Sequence, residues 1–183
     1  ACVGNRFDVP TIAMISDFGE VESAGLLSAP SVRQYVVESG DTYEFVHDQV
    51  QQAAYGLIDV GERMSRHLQL GRALLAKAEE PELEERIFDI VAHFALSADL
   101  LTDQLERIQV AELNLRAGRK AKMSSAFAAS IAYLRRALAL LGENGWRDHY
   151  ELTLDVHNEL IDACLLNIEY EEVDALFGTI LDR

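Results

Sequence analysis

Residues 117–141, AGRKAKMSSAFAASIAYLRRALALL, set the fold class of this 183-residue chain. Their second half places apolar side chains at helical spacing, on one face of a helix. Two glycines, Gly142 and Gly145, follow as helix stops. The segment therefore predicts helices on both sides of a short polar break. The apolar stripe consists of Phe127, Ile131, Leu134, Leu138 and Leu141.

The same helical pattern extends over the whole chain after residue 60. Asp103 and Glu106 have the spacing of a capping box at a helix start. Together with Glu62–Ala78, the apolar stripes predict about six helices joined by short connections. The stripes are Leu83, Ile87, Ile90, Val91, Phe94, Ala98 and Leu101; Ile108, Ala111, Leu115 and Gly118; Tyr150, Leu154, Ile161 and Leu165; and Val173, Leu176, Phe177 and Ile180.

The chain before residue 60 has a mixed pattern. Pro10–Ser16 and Glu20–Leu27 predict two short helices. Gln34–Val37 and Thr42–Val46 are rich in strand-forming residues and predict a β-hairpin. Its turn residues are Ser39, Gly40 and Asp41. Short helices followed by a hairpin are typical of a winged-helix domain. We therefore expect a mainly α protein, with a winged-helix domain at residues 1–60 and helical repeats at 61–183.

The charge balance limits the classes of partner. The chain has 16 basic and 31 acidic residues, for a net charge of −15. Such a field repels nucleic acids and anionic membrane surfaces, so we expect neither as a partner. Cys2 and Cys164 match no ligand spacing and predict free thiols in a reducing cytoplasm. The chain starts without methionine, and we expect it to be part of a longer protein.

His47 and Asp48 stand together in the segment YEFVHDQVQQAAY, residues 43–55, where a predicted strand meets a predicted helix. Such a pair could bind a metal, activate a nucleophile, contact a phosphate or cap a helix. Asp48 predicts an N-cap, and Gln51 three residues later predicts a capping box. These residues leave the chemical alternatives open.

Part of the helical region resembles a tetratricopeptide repeat. In the quoted segment 117–141, Gly118 occupies a position where two helices approach closely and Phe127 begins the second helix. The segment YEEVDALFGTIL, from Tyr170 onward, resembles the second helix of another unit. The two units are offset by 43 residues, whereas the usual repeat is about 34 residues long. Ile168 stands where these repeats commonly have glycine.

Three segments together resemble one protein family: ACVGNRFDV, YEFVHDQVQQAAYGLI and ELNLRAGRKAKMSSAFAASIAYLRRALALL. The family comprises large bacterial signalling proteins that join a STAND-class AAA-type ATPase to serine/threonine-kinase and histidine-kinase modules. The resemblance implies that Val46-His47-Asp48 is the hydrophobic–His–Asp triplet of the winged helix. In that family the histidine contacts the β-phosphate of ADP and helps to hold the resting state. His47 and Asp48 are therefore the candidate nucleotide-sensing residues.

The resemblance also implies where ATP or ADP would bind. The sequence lacks a G-x-x-x-x-G-K-[ST] string, whose backbone N–H groups and lysine cradle phosphates. We therefore expect no enzyme activity, no metal and no cofactor in this chain. ATP or ADP would be bound by an upstream ATPase domain of the same protein, which would be its first partner.

Four basic residues form a cluster in this acidic chain. They predict ion pairs with nearby carboxylates on a solvated helix. The alternative is a contact with an acidic partner surface. The cluster consists of Arg116, Arg119, Lys120 and Lys122.

Two other functions remain open at this stage. A helical-repeat scaffold would bind an unknown protein partner, and it could form a homo-oligomer. A metal-dependent His-Asp phosphohydrolase would use His47 and Asp48 as metal ligands. Its further ligands would be His67, His93 or His157. The strand before His47 disfavours this enzyme, because its fold presents the pair from a helix.

Overall fold

The computed structural model describes residues 1–16 and 18–181. Within that part of the chain, 74% of the residues are helical, in eleven α-helices and one short 3₁₀ helix, beside one small three-stranded sheet. The prediction of a mainly α protein is confirmed. The chain forms two compact units. The first comprises Ala1–Pro81 with Leu96–Leu100, and the second comprises Glu82–Ala95 with Leu101–Arg183. The predicted domain division at residue 60 stays a prediction.

The first unit contains all three strands. Its sheet has the order β1-β3-β2 with antiparallel neighbours. Its elements are β1 (Arg6–Asp8), α1 (Val9–Ile15), α2 (Glu20–Leu27), α3 (Pro30–Arg33), β2 (Val36–Ser39), β3 (Thr42–Phe45), α4 (Asp48–Gly56) and α5 (Val60–Lys77), followed by a 3₁₀ turn at Ala98–Leu100.

The predicted β-hairpin is present as β2 and β3. Ser39 pairs with Thr42, which leaves Gly40 and Asp41 as a two-residue turn. Gly40 has a φ of +63°, a conformation that favours glycine. The first strand begins two residues later than predicted. Tyr35 still donates its backbone N–H to Val32 O at 2.8 Å, so the chain before Val36 completes the turn of α3.

The second unit is a set of helices. From Glu82 onward it contains most of α6 (Glu80–Ala95), then α7 (Gln104–Met123), α8 (Phe127–Leu141), α9 (Gly145–Asp148), α10 (Tyr150–Leu166) and α11 (Tyr170–Leu181). Its core brings α7, α8, α10 and α11 together. The buried core residues include Leu115, Leu134, Val156, Leu160 and Val173.

Helix ends and faces in the second unit differ from the prediction at several positions. α6 ends at Ala95, so Ala98 lies in the 3₁₀ turn and is exposed. Gly145 begins α9 and does not end a helix. The buried face of α10 is shifted from the predicted stripe, which leaves Tyr150 and Leu165 exposed. Phe177, a predicted core residue, is 49% exposed. Apolar residues four and seven positions apart can lie on either of two adjacent faces of a helix. Packing against the neighbouring helices decides which of these faces is buried.

Gly118 lies at a close crossing of α7 and α8, as predicted. A Cβ atom added there would lie 2.7 Å from Leu134 Cγ. Ser130 Oγ donates to Gly118 O at 2.8 Å across the same crossing. The side chains that face Gly118 are therefore Leu134 and Ser130, and the half-buried Phe127 lies at the start of α8.

The turns from α7 to α8 and from α10 to α11 have the same geometry. Ser125 and Ile168, 43 residues apart, have φ values of +59° and +64°. The next residue in each turn donates its N–H to a carbonyl five residues back, at 2.9 Å in both turns. The donors are Ala126 and Glu169. The 43-residue offset read from the sequence therefore relates two turns of the same kind, and the left-handed φ of Ile168 explains why glycine suits its position.

None of the helices in the described residues is long and apolar enough to cross a membrane.

Candidate functional site

His47 and Asp48 lie at the junction of β3 and α4, and both side chains are exposed. His47 has extended backbone angles, φ −150° and ψ 144°, so the chain turns from strand to helix at this residue. Its carbonyl accepts the N–H of Val50 at 2.9 Å. Backbone contacts therefore fix the position of His47, while its imidazole is left accessible to an outside group. Its role as a nucleotide sensor stays a prediction.

The predicted cap at Asp48 is wrong. His47 is the N-cap of α4, and no side chain makes a cap hydrogen bond there. Gln51 Nε2 donates instead to Ala1 O at 2.9 Å, so the predicted capping box is absent. The helix begins one residue earlier than expected, which places Asp48 inside its first turn. A carboxylate at that position still interacts favourably with the positive end of the helix dipole.

At the C-terminal end of α4, Tyr55 contacts two side chains of α5, and the sequence did not indicate that these three residues form a group. Tyr55 Oη lies 2.9 Å from His67 Nε2 of α5, within hydrogen-bonding distance. Arg63, one turn earlier on α5, has its guanidinium carbon 5.0 Å from the centre of the Tyr55 ring. Burial lowers the pKa of His67 below its ordinary value of 6.5. The imidazole is therefore held neutral at pH 7.

The histidines considered as metal ligands lie in separate environments. His67 is bonded to Tyr55, as described, and His93 lies half-buried on α6 of the second unit. The ring of His157 contacts Trp146 with ring centres 4.7 Å apart and planes tilted by 38°, and its Nδ1 lies 2.7 Å from Thr153 O. Throughout residues 1–16 and 18–181, no group of three or more His, Cys, Asp or Glu side chains is arranged to hold a metal ion.

The basic cluster on α7 forms ion pairs with neighbouring helices, as predicted. Arg116 pairs with Glu84 of α6 at 2.5 Å. On the other side, Arg119 and Lys122 approach Glu159 of α10 at 2.8 and 2.6 Å. Burial opposes ionisation of Glu159, but hydrogen bonds from Lys122 and Arg119 lower its pKa. The cluster thus links α7 to both neighbours.

A groove of about 400 Å³ runs along the exposed strip of α7 beside α6. Lys120, on this strip, contacts the carbonyl of Glu84 and lies 5.2 Å from the centre of the Phe88 ring. The cations of the groove therefore already have partners within the unit, which makes it a poor site for a small anion. The groove is lined by Glu84, Glu85, Arg116, Arg119, Lys120 and Met123.

Comparison with known proteins gives one distant similarity. The chain is 30% identical over 165 residues to hybrid signal transduction histidine kinase G of Dictyostelium discoideum, an alignment that covers 77% of this chain. The chain spans only 5% of the length of that protein. No protein-family model and no solved structure matches the chain.

Proposed function

We propose that this chain is a regulatory, non-catalytic arm of a large signalling ATPase and sensor kinase. The observation that carries the proposal is its similarity, over most of its length, to part of a hybrid signal transduction histidine kinase. Because the aligned segment is so small a share of that relative, the arm would act together with other domains of a longer cytoplasmic protein.

In this proposal residues 1–60 form a winged-helix domain that follows a STAND-class ATPase domain. The ATPase domain binds ATP or ADP, and His47 reports which nucleotide is present. Two features support this role: His47 is exposed, and backbone contacts of the adjoining strand and helix fix its position. An imidazole can donate a hydrogen bond to a phosphate oxygen.

Residues 61–183 are proposed to form a tetratricopeptide-like array that binds a protein partner. Support comes from the two hairpins, α7–α8 and α10–α11, with matching turns 43 residues apart. Stacked helical hairpins form extended surfaces that suit protein segments. Purification of the complex and analysis of its composition identify that partner. The same measurement shows whether the partner is a second copy of the chain.

Calorimetry of the isolated chain tests whether the nucleotide site lies outside this chain, in the ATPase domain. A winged helix supplies one contact to a nucleotide and no complete site. We therefore expect the chain alone to bind neither ADP nor duplex DNA and to hydrolyse no ATP. Micromolar ADP binding by the chain alone would contradict the proposal, since it would place a complete nucleotide site in this chain.

A stand-alone helical scaffold is the second candidate function, favoured by the repeated hairpins. It requires no nucleotide anywhere in the longer protein. Partner binding that resides in residues 101–181 and does not change with ATP or ADP would favour the scaffold. Partner binding that changes between the two nucleotides would favour the ATPase arm.

A further inference from the structure

α4 is held in the first unit by few contacts. None of its nine residues is buried, although α5, which follows it, buries five. Near its N-terminal end, Gln51 Nε2 donates a hydrogen bond to Ala1 O at 2.9 Å. A helix with so little buried surface separates from its neighbours at low cost in free energy. The contacts at its C-terminal end therefore have a large share in holding it.

Those contacts come from Tyr55, which packs against the buried cluster of Cys2, Ile15 and Leu70 and also touches two polar side chains of α5. Its hydroxyl lies 2.9 Å from His67 Nε2, and the two rings are 5.8 Å apart and tilted by 55°. The guanidinium carbon of Arg63 lies over the Tyr55 ring, 5.0 Å from the ring centre. We refer to Tyr55, Arg63 and His67 as the Tyr55 clamp.

We propose that the Tyr55 clamp positions α4 against α5 and relays a displacement of His47 into α5. The inference rests on the proposed sensing role of His47. α4 begins directly after His47, and Tyr55 follows eight residues later, about 12 Å along the helix axis at 1.5 Å per residue. A helix of two turns moves as a rigid rod over that distance. A shift of His47 toward or away from a phosphate therefore moves Tyr55 relative to His67.

The chemistry of the Tyr55 clamp suits a contact that opens and closes. One hydrogen bond between neutral groups contributes modestly to stability and depends strongly on direction. The Nε of Arg63 is buried and has no hydrogen-bond partner among the described residues. Movement of Tyr55 therefore costs Arg63 a ring contact without breaking a hydrogen bond at that nitrogen. His67 is fixed by burial on α5, so it serves as the stationary side of the clamp.

Hydrogen exchange of the 183-residue chain tests the clamp without nucleotide. Tyr55→Phe keeps the ring and its contact with Arg63 but removes the hydroxyl. We expect exchange of the α4 amides to become roughly two- to tenfold faster, the range that corresponds to one hydrogen bond. Exchange in α7 and α8 should stay as in the parent chain. His67→Leu should have the same effect, whereas His67→Gln, which can still bond the phenol, should restore most of the protection.

Tyr133→Phe is the matched control. Tyr133 also lies under an arginine, with Arg136 at 5.6 Å from its ring centre, and its ring stacks on Phe88. Its hydroxyl has no hydrogen bond within the described part of the chain, so its removal should leave exchange unchanged. Equal exchange of α4 in Tyr55→Phe and in the parent chain would overturn the clamp.

The relay is tested in the longer protein that contains the ATPase domain. ADP should slow exchange both at residues 46–50 and in α5 of the parent protein. In Tyr55→Phe we expect the change at 46–50 to remain and the change in α5 to disappear. An α5 response that persists in Tyr55→Phe would overturn the relay. Absence of any ADP response at 46–50 in the parent protein would instead overturn the proposed function of His47.

Discussion

α4 and α7 show how differently two helices of one chain are held. α7 buries eight of its twenty residues and forms ion pairs with a helix on either side. α4 buries none of its nine and is held by a few polar and ring contacts and by the packing of the half-buried Tyr55 on the cluster of Cys2, Ile15 and Leu70. Elements with little buried apolar surface open at low free energy. The difference assigns α7 a structural role and makes α4, next to His47, the element suited to move.

The largest effect on stability is expected from a substitution at the crossing of α7 and α8. Gly118→Leu would force side-chain atoms into Leu134, since even a Cβ atom would lie 2.7 Å from its Cγ. Overpacking of this kind typically costs about 1–3 kcal/mol, and this site should be at the upper end. Urea unfolding followed by the fluorescence of Trp146, the only tryptophan of the sequence, measures it.

Gly178→Leu is the control for that measurement. Gly178 lies on α11, and a Cβ atom there would meet nothing within 4 Å. It should leave the free energy of unfolding nearly unchanged. Equal stability of Gly118→Leu and the parent chain would mean that α7 and α8 do not cross as closely as described.

A smaller change should make the second unit more stable. Ile168 has a φ of +64° and is 72% exposed. A β-branched residue in that conformation costs about 1–2 kcal/mol relative to one that tolerates it. Ile168→Gly should therefore raise the free energy of unfolding by about 1 kcal/mol, after the entropy that glycine adds to the unfolded chain. Ile168→Val keeps the strain and should bring no gain. A loss of stability in Ile168→Gly would show that the turn is not left-handed.

The smallest expected effect belongs to the first unit and depends on pH. Burial lowers the pKa of His67 in the folded chain below 6.5. As the pH falls through 6.5, the unfolded chain takes up a proton on this residue before the folded chain does. The first unit should therefore lose stability between pH 8 and pH 5.5, measured by hydrogen exchange of α5. His67→Gln should flatten that dependence. An unchanged pH profile in His67→Gln would mean that His67 does not titrate as its burial requires.

The sequence correctly predicted those elements whose bounds are set by residues within or next to them. The turn residue Gly40 revealed the hairpin, and the glycine at 142 ended α8 at Leu141 as expected. The three-residue strand β1 was missed because its pairing with β3, more than thirty residues away, is its main support. The buried face of α10 was misplaced because packing against α8 decides it. The pairing of β1 and the buried face of α10 both depend on residues far away in the sequence.

In the candidate site, too, the sequence predicted the local features and missed the contacts between helices. The sequence placed His47 and Asp48 at a strand–helix junction, and the structure has them there. It missed the contacts of Tyr55 with His67 and Arg63, because these residues lie on different helices and only the turn between α4 and α5 brings them together. The cap at Asp48 failed because a helix start is uncertain by one or two residues.

ADP retention by the longer protein tests the central claim most directly. One hydrogen bond to a charged phosphate is worth about 1.5–3 kcal/mol. His47→Ala should therefore release ADP roughly ten- to a hundredfold more readily. The matched control is His149→Ala, since His149 is also an N-cap residue without a side-chain cap bond and lies half-buried at the start of α10. It should retain ADP as the parent does. If His47→Ala also retained ADP as tightly as the parent, His47 would be only the structural start of a helix, and the nucleotide-sensing role would be wrong.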